Sequence, residues 1–393
     1  MKHILYVSAL ASEARINNEY KHTGRNPGFA VQKFSRLLVK GMLTNGADVL
    51  ALSNPANASG NKEYVHSLKE TENGITYKYV PYFNLPFLKH ICLFFYSFFY
   101  VLFWGIRNKN DKSIVCDVLT VSICLGALLA SKINCVKSIA VVTDLYDLMQ
   151  GVDKKSFIIR MAGKINGWYS RSFDKYILLT EQMNAVVNPK GRPHMVMEAL
   201  CDSSIVNDNI YTVEKVHPRT VIYAGGIHEI YGLKMLAEGF LKAGVEDAKL
   251  VCYGQGPYVD ELRKLCEQHS NIEYRGVVTN DIVVLEEQKA TLLVNPRFTT
   301  EEFTKYSFPS KNMEYMASGT PLLTTKLPGM PGEYYPYVFL FQEETVDGYA
   351  DAIRKVLSYS EWELRSFGYK ASQFVLLNKN NVQQGMRVLN FIG

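Results

Sequence analysis

Short apolar runs of about five to eight residues alternate along this chain with longer segments whose apolar positions recur every three or four residues. Runs of that length are typical of buried strands, and the longer spacing is typical of helices with one face toward a core. Regular alternation of strand and helix favours parallel sheets, because a parallel pair needs a crossover connection. The pattern therefore predicts an α/β fold in both halves.

We place the strands of the first half at residues 3–10, 48–53, 75–82, 113–119, 138–144 and 175–180. Those of the second half are placed at residues 220–225, 248–253, 271–275, 290–295 and 321–325. An amphipathic helix is predicted at 29–44, and two closing helices at 345–360 and 361–392. The polar stretch 11–27 between the first strand and the first helix is predicted to be a long loop, and such loops are usually functional.

A chain of 393 residues exceeds what one hydrophobic core usually organises, so two domains are expected. The stretch 201–218 is polar and poor in apolar residues, which is typical of a linker. We predict a first domain over 1–200, a linker over 201–218, a second domain over 219–375 and a C-terminal helix over 376–393.

The most apolar segment of the chain is Ile91–Ile106, sixteen residues without a charge inside a helix predicted near 86–107. Basic residues flank it on both sides, and a spanning helix needs about twenty apolar residues. Tyrosine and tryptophan prefer the headgroup layer, and lysine and arginine attract anionic lipid. Residues 86–112 are therefore predicted to contact an anionic membrane surface; the alternative is a helix buried in the first domain.

Residues 306–325 carry the strongest local signal, a capped helix that leads into a buried strand. Ser307 or Ser310 is expected to cap the helix start, and Gly319 supplies the left-handed stop. An apolar run at 290–295 precedes it, so the helix begins near the carboxyl edge of a sheet, where open α/β folds bind ligands.

Lys311 and Glu314 are the polar residues in the first turns of this helix. A cation at a helix start is disfavoured by the helix dipole, so we expect Lys311 to serve a bound phosphate. Glu314 is placed to accept hydrogen bonds from a ribose. The alternative is an amphipathic core helix with good caps.

Two glycine loops follow strands of the second half, at Gly225 and Gly226 and at Gly254 and Gly256. Glycine lets a backbone approach a pyrophosphate closely, but it is also frequent in turns for geometric reasons alone. Both interpretations remain open for each loop taken singly.

The stretch Ser-Phe-Pro-Ser-Lys-x-x-Glu-Tyr-Met-Ala-Ser-Gly-Thr-Pro at 307–321 resembles the nucleotide-binding segment of family 4 (group 1) retaining glycosyltransferases of the GT-B fold. Further segments resemble that family in the same order: Tyr-Ala-Gly-Gly at 223–226, Cys-Tyr-Gly-Gln-Gly-Pro at 252–257, Asn-Ile-Glu-Tyr-Arg-Gly at 271–276 and Leu-Val-Asn-Pro-Arg at 293–297. The resemblance covers residues 219 to 360 closely and the first half more weakly.

Three positions depart from the family pattern. Many members carry a glutamate where this chain has Tyr306, and an arginine and a lysine where it has Gly226 and Tyr231. The resemblance implies that Arg297 or Lys311 supplies the missing positive charge. Glutamates at 301 and 302 are near enough in sequence to replace the lost carboxylate.

The resemblance implies a GT-B enzyme whose two Rossmann-like, doubly wound domains face a central cleft and whose last helix returns to the first domain. A nucleotide-sugar, most often UDP-linked, would bind Gly225, Gly226, Gly254, Gly256, Arg297, Ser310, Lys311 and Glu314. The loop with Arg15, Arg25, Asn26 and Gly28 would border the acceptor.

Asp144 ends the strand at 138–144, where this family often presents a histidine or aspartate near the acceptor. We predict that Asp144 and Lys311 are catalytic, Asp144 by positioning or deprotonating the acceptor hydroxyl; the alternative is that it caps the next helix.

The implied reaction is transfer of a sugar, with retention, to a lipid-linked saccharide in capsular polysaccharide, exopolysaccharide or O-antigen synthesis. Two alternatives stay open: a sugar-nucleotide epimerase or hydrolase of the same fold, and a non-catalytic membrane-associated scaffold.

Charge and cysteine content fit this interpretation. The net charge of +5 divides into +10 over residues 1–200 and −5 over 201–393, so the first half is expected to face an anionic surface. No nucleic-acid-binding motif appears, and nucleic acid is not expected as a partner. Seven cysteines without a Cys-x-x-Cys pair suggest a reducing compartment.

The chain opens directly on a strand without a leader pattern, which predicts a cytoplasmic protein associated peripherally with the inner face of the plasma membrane. We expect no metal and no cofactor besides the nucleotide-sugar substrate, since no Asp-x-Asp signature stands at a strand end.

Overall fold

The computed structural model of the protein describes residues 1–24, 28–54, 62–107, 111–145, 157–204 and 213–393. Met1–Leu200 and Asn381–Gly393 form one compact unit, and Cys201–Asn380 form a second. The stretch predicted as a linker is grouped with the second unit. There the Cys201 N–H donates to the Lys379 carbonyl oxygen at 3.0 Å, so the chain enters and leaves this unit at one place.

The first unit is built on a sheet that is parallel except at one edge. Its strands are β1 His3–Ser8, β2 Asp48–Ser53, β3 Tyr64–Val65, β4 Leu68–Glu72, β5 Ile75–Tyr79, β6 Tyr82–Phe83, β7 Lys112–Asp117, β8 Lys137–Val142, β9 Lys175–Leu178 and β10 His194–Val196. The order across the sheet is β10-β9-β8-β7-β1-β2-β5-β4, with β4 antiparallel to β5 and with β3 and β6 paired apart from it. Strand order reverses between β1 and β7, so this is the point where a doubly wound sheet opens a ligand crevice.

The helices of the first unit are α1 Glu13–Thr23, α2 Phe29–Thr44, α3 Leu88–Arg107, α4 Val121–Ile133, α5 Phe157–Ser170 and α6 Gln182–Val187. The prediction of a loop over 11–27 is wrong for residues 13–23. The Ser12 hydroxyl accepts the Arg15 N–H at 3.3 Å and starts α1, which ends at left-handed Gly24. Ile16 is the buried residue of this helix, so its apolar periodicity is too weak to detect in the sequence.

The last helix of the chain, α13 Asn381–Ile392, belongs to the first unit. It packs on α2 so closely that a Cβ at Gly41 would lie 1.9 Å from the Asn381 carbonyl oxygen, and a Cβ at Gly385 would lie 2.3 Å from the Gly41 carbonyl carbon. Glycine at both positions lets the two backbones touch. The single closing helix predicted at 361–392 is two helices, because the backbone turns out of the helix at residues 379–380.

The second unit carries a fully parallel sheet among its described strands, which are β11 Arg219–Ala224, β12 Ala248–Tyr253, β13 Ile272–Tyr274, β14 Leu292–Asn295, β15 Leu322–Thr324 and β16 Phe339–Leu340. The order is β13-β12-β11-β14-β15-β16, which in chain sequence is the Rossmann order 3-2-1-4-5-6. Its helices are α7 Leu233–Ala243, α8 Val259–Gln268, α9 Asn280–Lys289, α10 Ser310–Ser318, α11 Val346–Leu357 and α12 Glu361–Asn378. Right-handed crossovers on either side of β11 and β14 place helices on both faces.

Candidate functional site

The strand order of the second unit reverses between β11 and β14, and these neighbouring strands end at the same edge of the sheet. Gly225 and Gly226 follow β11, and Arg297 follows β14 by two residues. Ligands of open α/β sheets bind at such a reversal, outside the carboxyl ends of the strands. The loop and strand-end residues predicted to bind the donor therefore lie at the edge where such a sheet opens a ligand crevice, and we call this region the donor crevice.

The glycine loops after β11 and β12 pack backbone against backbone. A Cβ at Gly254, where φ is +129°, would lie 1.8 Å from the Gly225 carbonyl oxygen, and a Cβ at Gly256 would lie 2.2 Å from the Ile227 carbonyl oxygen. Neither glycine tolerates a side chain. The packing of one loop on the other explains these glycines without a ligand.

Helix α10 starts at Ser310 with Pro309 as its N-cap, and no side chain caps it. The prediction of a cap by Ser307 or Ser310 is wrong, because Ser310 already has helical geometry and extended Pro309 occupies the cap. The predicted stop is correct: Gly319 is left-handed, with φ of 78°. The Asn312 N–H donates to the Pro309 carbonyl oxygen at 2.9 Å. The backbone N–H groups before it, at Ser310 and Lys311, belong to the open end of the helix, where anions bind.

Lys311 is held by two carboxylates. Its Nζ lies 2.7 Å from Glu314 Oε2 and 3.6 Å from Oε1 of Glu287, a residue of α9 that is 1% exposed. Burial lowers the pKa of Lys311, but the charges of Glu314 and Glu287 outweigh burial and raise it. Two carboxylates of the protein therefore neutralise the ammonium group. A bound phosphate is no longer needed to explain why a lysine stands at this helix start.

Hydrogen bonds fix α10 to the two central strands. The Tyr315 hydroxyl accepts the Ala224 N–H at 2.7 Å and lies 3.2 Å from the carbonyl oxygen of the same residue. Asn295 at the end of β14 donates its side-chain amide to Asn312 Oδ1 at 2.6 Å. These bonds hold the start of α10 against the strand ends that border the donor crevice.

Arg297 lies on an aromatic cluster at the same edge. Its guanidinium carbon is 4.7 Å from the centre of the Tyr231 ring and 5.9 Å from that of Phe303. Tyr231 and Gly226 stand at the two positions where the resembled family has cations. The Tyr231 ring lies 3.1 Å from the Cβ position of Gly226. Among the described residues, no carboxylate lies within ion-pair distance of Arg297.

The position of the missing glutamate borders the same cluster. Tyr306 ends the short 3-10 turn Glu302–Lys305, and its N–H donates to the Phe303 carbonyl oxygen at 3.0 Å. The Phe303 ring lies 5.9 Å from the Tyr231 ring. Glu302 at the start of this turn is exposed and Glu301 is half-buried.

Of the four residues predicted to border the acceptor, the structure describes Arg15 and Gly28. Arg15 lies in α1, not in a loop, with its guanidinium carbon 4.7 Å from the centre of the Tyr79 ring. Gly28 is the exposed, left-handed N-cap of α2, with φ of 81°. Arg25 and Asn26 lie outside the described residues.

Two aspartates occupy neighbouring strand ends of the first unit. Asp117 ends β7 and Asp144 follows β8 by two residues. Burial raises the pKa of Asp117 to about 6 against hydrogen bonds from Leu119 and Thr120, with a further rise from the Asp144 charge. Asp144 is an exposed residue. Partial desolvation of its carboxyl group by the surrounding protein nevertheless raises its pKa to about 6.

Asp117 was missed in the sequence. It ends an apolar strand, which is the position predicted for Asp144 from the sequence, so the argument that selected Asp144 selects Asp117 as well. The predicted strand extended to residue 119, two residues beyond the observed end. Asp117 was therefore placed inside the strand and not at its end.

Helix α3 presents a large apolar face. Its side chains at every third or fourth position are exposed, namely Ile91, Phe95, Phe99, Phe103 and Ile106, which we call the α3 ridge. The opposite face packs on α4 through Leu93, Ser97 and Val101. The helix is long and apolar enough to cross a membrane by length and composition alone.

The cations beside the α3 ridge make contacts within the first unit. Lys89 Nζ lies 4.8 Å from the centre of the Tyr82 ring, and Lys112 Nζ donates to the Trp104 and Gly105 carbonyl oxygens at 2.5 and 3.0 Å. Lys112 therefore caps the end of α3. Lys109 is outside the described residues, as is the side chain of Arg107.

Comparison with solved structures finds the same architecture over the whole chain. Sucrose-phosphate synthase from Thermosynechococcus elongatus superposes with a TM-score of 0.63 at 14% identity, covering 99% of both chains. Anabaena HepE in complex with UDP gives 0.65 at 13% identity, again over 99% of both chains. The fold is GT-B. This agrees with the predicted fold class.

The same coverage holds for the lipopolysaccharide outer core galactosyltransferase WaaB, at a TM-score of 0.63 and 14% identity. Residues 218–359 match the family model described as "Glycosyl transferases group 1", so the match falls on the unit that contains the donor crevice. A sequence comparison with curated proteins found no match. Together, the domain match and the fold support a glycosyltransferase of GT-B fold.

Proposed function

We propose that this protein transfers a sugar, with retention of configuration, from a UDP-linked donor to a lipid-linked saccharide during synthesis of a cell-surface polysaccharide. The observation that carries the proposal is the donor crevice. A helix start without a side-chain cap, a guanidinium that has no carboxylate partner among the described residues, and a loop of close-packed glycines surround the strand reversal of a domain that matches the group 1 glycosyl transferases.

In the proposed complex, Arg297 binds the diphosphate. A guanidinium group matches two phosphate oxygens at once, and its aromatic support orders the side chain without neutralising its charge. Lys311 acts through Glu314, because the ion pair of 2.7 Å orients the carboxylate that we assign to the ribose hydroxyls. Anabaena HepE, a neighbour of the same fold, is named as a complex with UDP, which supports a uridine donor.

The chemistry that we propose needs no metal ion and no cofactor besides the nucleotide-sugar. Negative charge on the departing diphosphate would be stabilised by Arg297 and by the N–H groups at the start of α10. Asp144 is the proposed acceptor-side group. With a pKa of about 6 it is ionised near neutral pH and can orient or deprotonate an acceptor hydroxyl.

The α3 ridge supports a lipid-linked acceptor. An apolar face of this size on one surface helix is costly in water, and aromatic side chains beside basic ones suit the interface of an anionic membrane. Because α4 covers the other face, we propose that α3 lies in the interface and does not span it. The protein would then act at the inner face of the plasma membrane, in the cytoplasm.

The neighbours do not select the acceptor by themselves, since they include both a sucrose-phosphate synthase and a lipopolysaccharide galactosyltransferase. The proposal of a lipid-linked acceptor therefore depends on the exposed apolar face of α3.

The test combines donor binding with product analysis. Thermal unfolding is measured with a panel of nucleoside diphosphates, and UDP is expected to raise the transition temperature most, because a ligand of the folded state stabilises it. UDP-sugars are then incubated with and without membrane lipid extract. Sugar transfer that requires the extract supports the proposal; sugar release from the donor alone would indicate a hydrolase, and no turnover a scaffold.

A further inference from the structure

A cavity of the second unit lies at the edge of the sheet opposite the donor crevice. Its volume is ≈ 350 Å³, within the usual range for small-molecule sites. The wall includes Arg219, the first residue of β11, with Thr291 and Pro321 directly before β14 and β15. Because all these strands are parallel, the cavity lies at their amino ends, a strand length from the donor crevice, and we call it the amino-edge cavity.

Basic residues outnumber acidic residues around this cavity. Lys215, His217, Arg219 and Arg365 line it together with two acidic residues, Asp247 and Glu361. Both carboxylates are already engaged. Arg219 Nε donates to Asp247 Oδ2 at 2.9 Å, and Arg365 Nε donates to Glu361 Oε1 at 2.7 Å.

Lys215 is the cation with neutral partners. Its Nζ donates to the Gln288 carbonyl oxygen at 2.8 Å and to Thr320 Oγ1 at 3.0 Å. Among the described residues, no carboxylate lies within ion-pair distance of it. The two hydrogen bonds fix the ammonium group at the wall.

Burial and the nearby Arg365 lower the pKa of Lys215 to about 7, opposed by Glu361. A cation that is costly in the empty cavity becomes favourable when an anion sits beside it. The Arg365 side chain, 13% exposed, also lines the cavity, and its Nη2 lies 2.6 Å from Glu361 Oε1. A guanidinium carries five N–H donors, so Arg365 can meet an anion beside Lys215 while it keeps this ion pair.

We propose that the amino-edge cavity binds a small phosphorylated solute, with its phosphoryl group between Lys215 and Arg365. Tyr359, Leu364 and Pro321 supply an apolar wall for the rest of the molecule, and the volume suits a body about as large as a monosaccharide. The site is separate from the donor crevice and does not depend on the transfer reaction.

Calorimetric titration of the full chain tests this, with inorganic phosphate and glucose 1-phosphate as probes. Lys215→Gln is expected to weaken phosphate binding about tenfold or more and to leave UDP binding unchanged. Lys355→Gln, which removes an exposed lysine of α11, is the matched control and should change neither affinity. Arg297→Gln should weaken UDP binding but not phosphate binding at the amino-edge cavity.

Sulfate, which does not titrate near neutral pH, tests the charge at Lys215. Affinity should rise as the pH falls from about 8 to about 6, because Lys215, whose pKa is lowered to about 7, gains a proton on the wall that it shares with His217, Arg219, Arg365, Asp247 and Glu361. Lys215→Arg keeps the charge and should bind sulfate with a weaker pH dependence. Unchanged UDP binding by Lys215→Gln excludes misfolding as the cause of its loss of phosphate binding.

Two results would overturn the proposal. Phosphate binding that survives Lys215→Gln is one, and indicates an adventitious ion only. Phosphate binding that UDP displaces and Arg297→Gln removes is the other, because it assigns the ion to the donor crevice.

Discussion

Arg297 and Lys311 are both cations at the carboxyl edge of the second sheet, but their surroundings differ. Lys311 lies between two carboxylates, which neutralise it in place. Arg297 lies on the rings of Tyr231 and Phe303, which support a cation and leave its charge available to a ligand. The two side chains therefore have separable roles in the proposed donor site.

We predict that Arg297→Gln weakens UDP binding by about tenfold to a hundredfold, since one charge-assisted bidentate contact is worth about 1.5–3 kcal/mol. Arg297→Lys should recover part of the loss. Isothermal titration with UDP measures it. Arg354→Gln, which removes an exposed arginine paired with Asp351 on α11, serves as the control, and equal affinities in all four proteins would contradict the assignment.

Asp144 gives the proposed reaction a pH dependence. The raised pKa of about 6 means that the carboxyl group is protonated below this pH and ionised above it. An acceptor-side base works only when ionised, so kcat/KM for transfer should rise with pH through about 6 and then level off. Asp144→Asn should lower kcat/KM by about a hundredfold or more and abolish that rise. UDP affinity, measured in parallel, should not change, and a wild-type profile that is flat across pH 5 to 7 would rule out this role.

Helix α3 shows why an apolar run does not by itself identify a core helix. Leu93, Ser97 and Val101 pack on α4, whereas Phe95, Phe99 and Phe103 lie open on the other side. The sequence is apolar all round, so its periodicity could not distinguish these faces.

The ridge predicts a membrane-binding phenotype. Replacing Phe95 and Phe99 with glutamate removes two large apolar side chains from the interface, each worth about 2–3 kcal/mol when fully buried. Co-sedimentation with vesicles of anionic and zwitterionic lipid should fall at least about tenfold. Leu377→Glu, at a residue of α12 that is 62% exposed, is the control for added charge on an apolar surface site. Vesicle binding that is unaffected by the double substitution would show that the ridge is not the membrane contact.

The first unit is completed by the far end of the chain. Helix α13 contributes Val388, Leu389 and Ile392 to the same core as β1 and α2, although more than 300 residues separate them in sequence. Its contact with α2 depends on the two facing glycines, Gly41 and Gly385.

Gly385→Ala should therefore destabilise the first unit by about 1–3 kcal/mol, because the added methyl group meets the backbone of α2 and the helices must separate. Gly163→Ala on α5 is the matched control: its Cβ would meet no atom within 4 Å, and alanine favours a helix over glycine by about 1 kcal/mol. Denaturant unfolding of the full chain measures both. Equal midpoints for wild type and Gly385→Ala would contradict the close packing.

Much of the fold was predictable from local patterns. The strands at 48–53 and 248–253 and the helix at 29–44 match the structure to the residue. The helix at 13–23 and the antiparallel edge strand at 68–72 were not predicted, because one has a single buried position and the other alternates exposed with half-buried residues. Such elements lack the burial contrast on which periodicity depends.

The donor residues were recognised in the sequence by their order, and the structure gathers Gly226, Arg297 and the start of α10 at one strand reversal. Which cation is free for phosphate was not predictable. Glu287, the partner that neutralises Lys311, lies 24 residues before it on another helix, and only packing brings the two together. Asp117 shows the same limit, since its nearness to Asp144 follows from the pairing of β7 with β8.

The sequence by itself determined most of the alternation of strands and helices, the left-handed stop at Gly319 and the family resemblance of the second half, because each of these depends on residues close together in the chain. Tertiary structure alone decided which charges meet, which face of α3 stays open and which basic residues surround the amino-edge cavity. These depend on contacts between distant segments, and burial and charge pairing arise only when those segments pack.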